Sequence, residues 1–133
     1  MGLLDDAIHE FQVSMRNPQK ECICHTMIGL CHLEKGAYSE AIGAFKKGLY
    51  VEIKTEREEL GLYYELGNAY ELLNDAREAL YYYQKVHKRD PDFRDVKGKI
   101  RALTQPRASG ASRPSVQEDD VDKAFDDLLS SRK

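Results

Sequence analysis

The chain has 133 residues, a net charge of −3 and a pI near 5.8. This length accommodates one small domain, and no run approaches the roughly 20 apolar residues of a membrane-spanning helix, so we expect no membrane insertion. The basic residues are scattered among acidic ones, which argues against nucleic acid as the main partner, because nucleic-acid binding favours a basic face.

Residues 1–18 predict a single amphipathic helix over residues 3–16. Leu4, Ile8 and Phe11 recur at helical spacing on one face, with Leu3 beside them. We expect this stripe to lack the packing helix that would cover it in a complete repeat. Because exposed apolar stripes usually find cover, we expect a homodimer or a partner helix there.

Residues 19–55 and 56–93 each predict a helical hairpin. The expected helices span residues 20–34, 38–53, 56–73 and 76–89.

Turn and capping signals mark the ends of these helices. Gly36 fits a left-handed C-terminal cap. Thr55 with Glu58, and Asp75 with Glu78, fit capping boxes at the starts of the two helices of the second hairpin.

The two hairpins repeat the same residue types 38 positions apart. The matched pairs are Ile28 and Leu66, Gly29 and Gly67, His32 and Tyr70, Ala41 and Ala79, and Phe45 and Tyr83. Small residues such as Gly67 and Ala79 allow two helices to approach closely. The pattern therefore predicts stacked helix pairs, which form a grooved binding surface.

The C-terminal third predicts a capping region, a linker and a tail. A helix is expected from Asp90-Pro91 to about Leu103, with residues 94–104 as its capping part. Residues 105–118 are rich in Pro, Ser, Gly and Ala, which is typical of a flexible linker. Residues 119–131 predict a short amphipathic helix. Its apolar stripe consists of Val121, Phe125, Leu128 and Leu129. The alternative for this tail is a disordered, solubilising segment.

The segment from Tyr63 to Pro91 resembles a tetratricopeptide repeat through its LGNAY and QKV…DP elements. Asn74 replaces the usual turn glycine, and Ala76 replaces the usual aromatic residue. The resemblance implies an all-α fold of α-helical hairpin repeats in a right-handed solenoid, with a C-terminal capping helix and a flexible tail.

Two other segments resemble the family more weakly. Residues 22–55 carry His25 and His32 where large aromatic residues are usual. Residues 2–18 resemble the second half of a repeat, since Ala7 lies 34 residues before Ala41. We therefore expect the chain to be a C-terminal part of a longer array; the alternative is a divergent N-terminal capping helix.

The resemblance also implies that the first helix of each hairpin lines a concave groove. The matching positions are Ile23, Thr26, Leu30, Leu33, Gly61, Tyr64, Asn68 and Glu71. Asn68 is expected to hydrogen-bond a peptide backbone. Some family members clamp the C-terminal tails of chaperones with groove lysines and arginines, but here only Asn68 matches. We therefore do not expect chaperone-tail binding.

Catalytic and metal-binding patterns are absent from the sequence. Among Cys22, Cys24, His25, Cys31 and His32, only Cys22 and His25 have the spacing of two ligands on one helix. We expect Cys24 and Cys31 to fill small buried positions as reduced thiols, which fits a cytoplasmic location. No nucleophile elbow, P-loop or H-E-x-x-H motif occurs, so we expect no enzyme, no cofactor and no metal.

The sequence thus predicts a protein-protein interaction scaffold whose groove binds a peptide or helix of another protein. The alternative is a structural module that associates with itself, as a homodimer or within a longer array, with the tail helix docked on its own chain or on a neighbouring one.

Overall fold

The structure is a computed structural model that describes residues 2–105. Within that range the fold is all-α. The helices are α1 (Gly2–Ser14), α2 (Glu21–Lys35), α3 (Tyr38–Tyr50), α4 (Glu56–Leu72), α5 (Ala76–Arg89) and α6 (Val96–Thr104), and a 3₁₀ turn spans Pro18–Lys20.

Each helix packs mainly against its neighbours along the chain. The α2–α3 and α4–α5 contacts form two hairpins, α3 packs on α4 to stack them, and α1 and α6 cover the outer ends against α2 and α5. This arrangement confirms the predicted all-α hairpin repeats.

The turns follow the chemistry of their residues. Gly36 adopts a left-handed conformation with φ 81° after α2, as predicted. Asn74, in the position of the usual turn glycine, also has a positive φ of 62°, which asparagine tolerates better than most residues. At α4 the Thr55 hydroxyl accepts from the Glu58 N–H at 3.1 Å and the Glu58 carboxylate accepts from the Thr55 N–H at 2.8 Å, so this capping box is confirmed.

The second predicted capping box forms only in part. The Asp75 carboxylate accepts from the Glu78 N–H at 3.2 Å. The Asp75 N–H, however, donates to the Tyr70 carbonyl at 2.9 Å. Because that donor is already used by the turn, the reciprocal bond from Asp75 to the Glu78 side chain was a wrong prediction.

Two predicted helix boundaries were also wrong. The α3 helix ends at Tyr50 and not at residue 53, because Val51 turns into an extended conformation and buries its side chain in the core. The α6 helix begins at Val96 and not at Pro91. Residues 90–95 instead form turns, in which Arg94 has a positive φ of 45° and Phe93 is buried.

The core consists of two clusters, the first between α2, α3 and α4 and the second between α4, α5 and the α6 region. The first contains Cys22, Ala41, Ile42, Phe45, Val51, Leu62, Leu66 and Ala69. The second contains Leu60, Tyr64, Ala79, Tyr83, Val86, Phe93 and Val96. In each hairpin an aromatic ring of the second helix packs on a glycine of the first, Phe45 on Gly29 and Tyr83 on Gly67.

Candidate functional site

The α4 part of the predicted groove lies against the turn that precedes α6. Tyr64 is buried, with its ring centroid 5.6 Å from that of Tyr83 and 6.1 Å from that of Phe93. The Arg94 guanidinium lies 5.1 Å from the centre of the Tyr64 ring and pairs with Glu65 at 3.0 Å. Tyr64 is therefore a packing residue that Arg94 covers.

Polar groups on the same face of α4 bond to α5, to α6 and to each other. The Tyr83 hydroxyl is the donor to two acceptor oxygens. Asn68 Oδ1 lies 2.6 Å from it and Glu71 Oε1 lies 2.7 Å from it. Lys99 of α6 lies 3.7 Å from Glu71. The carboxamide of Asn68 donates its N–H to Glu65 at 3.3 Å. A partner backbone would have to share or displace these bonds to reach Asn68.

Gly61, the remaining α4 position, is buried beside Arg94, whose Nη2 would lie 3.6 Å from an added Cβ. Its lack of a side chain leaves room for the arginine. The four predicted α4 residues thus lie together, bordered by cations of the α6 region.

The α2 part of the predicted groove is more open. Ile23 is 47% exposed, whereas Leu30 and Leu33 pack on the first core cluster. The Thr26 hydroxyl donates to the Cys22 carbonyl at 3.1 Å within the helix. Ile23 is therefore the most accessible apolar side chain of the four.

The apolar stripe of α1 is partly covered by α2. Leu4, Ile8 and Phe11 are half-buried, Leu3 is 81% exposed, and no residue of α1 is buried. An ion pair between Asp5 and Lys35 ties α1 to the end of α2. The hydrogen bond and charge of that lysine hold the pKa of Asp5 below its usual range.

The three cysteines are buried and free, as predicted for Cys24 and Cys31. Burial raises the pKa of the Cys22 thiol to about 11, so this group is protonated at neutral pH. Within residues 2–105, no three His, Cys, Asp or Glu side chains converge closely enough to hold a metal ion. In this part of the chain the three cysteines therefore serve as buried packing residues.

A cluster of tyrosines that the predicted site did not include lies between α4 and α5. The Tyr82 ring stacks on Tyr63 at 6.0 Å and on Tyr70 at 5.7 Å between ring centroids. Lys46 and Lys85 lie over the Tyr70 and Tyr63 rings. The tyrosine run 81–83 is the signal for this cluster in the sequence.

A pocket of about 350 Å³ between α1, α2 and α3 was not anticipated. We call it the histidine pocket. Its walls include His25, His32, Glu40, Gly43, Ala44 and Lys47. The His25 ring is mostly buried, and burial lowers the pKa of its imidazole. A second, larger cleft of about 510 Å³ runs along α5 and carries the bases Lys85, Lys88 and Arg89.

The predicted tail residues Val121, Phe125, Leu128 and Leu129 lie outside the described residues. None of the helices within residues 2–105 combines the length and apolar character needed to cross a membrane.

The comparisons with known proteins point to one family. A family model for the tetratricopeptide repeat matches residues 61–93, which include most of α4, all of α5 and the turn to Phe93. No curated protein matches the chain significantly. The match falls on the hairpin in which Tyr83 packs on Gly67, and the α2–α3 hairpin repeats that packing. This match identifies residues 61–93 as a tetratricopeptide repeat, and the helical hairpins of residues 2–105 are consistent with an array of such repeats.

Proposed function

We propose that the chain is a non-catalytic scaffold that binds a segment of another protein along the faces of α2 and α4. The observation that carries this proposal is the exposure of Ile23, which lies on the same helical face as Thr26, Leu30 and Leu33. Tetratricopeptide repeats are interaction modules, and an accessible apolar side chain beside a polar one is suited to anchoring a peptide or helix.

The charges at the far end of this surface favour a particular kind of partner. Arg94 and Lys99 border the α4 residues, and half of the Arg94 side chain is exposed. A partner segment with an apolar anchor near Ile23 and acidic residues near Arg94 would match both ends. The buried, free cysteines fit a cytoplasmic location for this activity.

The test compares proteins that co-purify with the wild-type chain and with two surface variants. Ile23→Lys places a charge on the proposed surface without disturbing the core. Tyr50→Lys is the matched control, because Tyr50 is 86% exposed at the end of α3. We expect specific partners to be retained by Tyr50→Lys and lost with Ile23→Lys. Identical partner sets for both variants would show that this face does not bind.

A second candidate function, self-association through α1, is favoured by the high exposure of Leu3 and the partial exposure of the stripe beside it. Light scattering of the full chain should then detect a dimer at high concentration. Leu3→Glu should shift the equilibrium toward monomer, and Tyr50→Glu should not. A wild-type chain that remains monomeric at every concentration would eliminate this candidate.

A further inference from the structure

The histidine pocket occupies a space that is filled with aromatic rings in the other hairpin. Four wall positions correspond to tyrosines 38 residues later. The pairs are His25 and Tyr63, His32 and Tyr70, Gly43 and Tyr81, and Ala44 and Tyr82. In the second hairpin the ring of Tyr82 contacts the other three tyrosines, with centroids 5.0 to 6.0 Å away.

The absence of these rings leaves room in the first hairpin. Apart from Gly43 itself, its two chain neighbours and the nearby backbone of α3, no heavy atom lies within 4 Å of the position that a Cβ would take at Gly43. The Nδ1 atom of His32 is buried without a hydrogen-bond partner. The orientation of the imidazole ring is therefore not fixed by a hydrogen bond at Nδ1. A cavity of about 350 Å³ is large enough for a single aromatic ring, since an engineered cavity of about 150 Å³ binds benzene.

A cation is placed to cover a ring in this space. In the second hairpin Lys85 lies 5.4 Å from the centre of the Tyr63 ring and 5.1 Å from that of Tyr81. Its counterpart Lys47 borders the histidine pocket. A lysine ammonium is attracted to the negative face of an aromatic ring, so the charge of Lys47 complements an aromatic guest.

We propose that the histidine pocket binds the ring of a tyrosine or phenylalanine side chain presented by a partner protein. The site is distinct from the surface around Ile23, because helical periodicity places His25, Ile28 and His32 on nearly the opposite side of α2. A partner ring here occupies the place that Tyr82 takes in the second hairpin.

The primary test titrates p-cresol, which mimics a tyrosine side chain, into the full chain and follows the ring signals of His25 and His32 by NMR. We expect saturable shifts in the millimolar range. 4-Methylcyclohexanol, of similar size without aromatic electrons, should bind at least several-fold more weakly. Equal affinities, or no saturable shift with p-cresol, would overturn the proposal.

Two substitutions locate the binding site. Ala44→Tyr supplies the missing ring and should abolish the p-cresol shifts. Gly43→Tyr provides the same test if Ala44→Tyr does not fold, because the Cβ added at residue 43 would point into open space. The reciprocal variant Tyr82→Ala opens the corresponding space in the second hairpin and should add a second p-cresol site near Tyr63 and Tyr70. Binding that neither Ala44→Tyr nor Gly43→Tyr reduces would place the probe elsewhere and refute the assignment.

A final variant separates a partner ring from a ring of the same chain. Phe125 is the only aromatic residue after residue 105. If a partner supplies the ring, Phe125→Ala should leave the affinity for p-cresol unchanged. A marked increase in that affinity would mean that Phe125 itself competes for the pocket, and would overturn the assignment to a partner.

Discussion

The ring of Tyr83 lies directly on Gly67, so a Cβ at residue 67 would be only 2.6 Å from Cδ1 of that ring. This contact fixes the spacing between α4 and α5. The same relationship holds α2 and α3 together through Gly29 and Phe45.

Gly67→Leu should destabilise the fold by about 1–3 kcal/mol, because the added atoms overpack a ring that is fully buried. Chemical denaturation followed by circular dichroism measures the loss. Gly43→Ala is the matched control: its Cβ meets open space, and replacing a helical glycine by alanine should stabilise by about 0.5–1 kcal/mol. Equal stability of Gly67→Leu and wild type would mean that α4 and α5 do not approach at this point.

Tyr83→Phe should cost about 1–3 kcal/mol, because it removes the hydroxyl that bonds Asn68 at 2.6 Å and the carboxylate of Glu71 at 2.7 Å. The ring still fills the contact with Gly67, so the loss isolates the hydrogen bonds. Tyr63→Phe serves as the control, because the Tyr63 hydroxyl does not hydrogen-bond Asn68 or Glu71. A loss for Tyr63→Phe as large as that for Tyr83→Phe would contradict this account.

Burial, followed by the hydrogen bond and the charge of Glu71, raises the pKa of the Tyr83 phenol. The unfolded chain releases this proton near pH 10 while the folded chain retains it. The free energy of unfolding should therefore fall as pH rises above about 10, and Tyr83→Phe should flatten this dependence. Denaturation at pH 8 and pH 10.5 measures the difference, and an unchanged slope in the variant would refute the assignment.

The Cys22 thiol should also lower the free energy of unfolding at alkaline pH, beginning at a lower pH than Tyr83 does. Its pKa is about 11 in the folded chain, against 9.0 for the ordinary thiol. The unfolded state binds fewer protons between these values, so stability is complete below pH 9 and falls as pH rises toward 11, by at most about 1.4 kcal/mol per pH unit.

Cys22→Ala should reduce this dependence between pH 9 and pH 10, measured as the change in unfolding free energy against the variant's own value at pH 8. Burial raises the pKa of Cys24 and Cys31 in the same direction, so part of the dependence should remain. If the unfolding free energy of Cys22→Ala falls with pH as steeply as that of the wild type, other groups cause the pH dependence.

The tail prediction is tested with Phe125→Ala combined with Leu128→Ala. Because the sequence places these anchors beyond the predicted repeats, the melting temperature of the repeat domain should not change. Partner binding or dimerisation should weaken, because a helix below about 12–15 residues needs its apolar face docked to be stable. A double variant that binds and assembles as the wild type does would make the tail a solubilising segment.

The sequence by itself determined the helical hairpins, the Thr55 cap, the turn at Gly36 and the close contact at Gly67. These features follow from local periodicity, from capping chemistry and from small residues repeated 38 positions apart. The cap and the turn depend on neighbours along one helix or one turn, and the hairpins and the Gly67 contact join helices that are consecutive in the chain.

Only the tertiary structure decided which of the predicted surface residues remain accessible. Tyr64 and Asn68 match groove positions, yet Arg94 covers Tyr64, because the turn before α6 packs back on α4, and the Tyr83 hydroxyl of α5 bonds Asn68. The histidine pocket likewise depends on side chains from three helices. The histidine at position 25 is a visible departure in the sequence, but the space between His25 and Gly43 forms only where α1, α2 and α3 come together without the aromatic rings of the second hairpin.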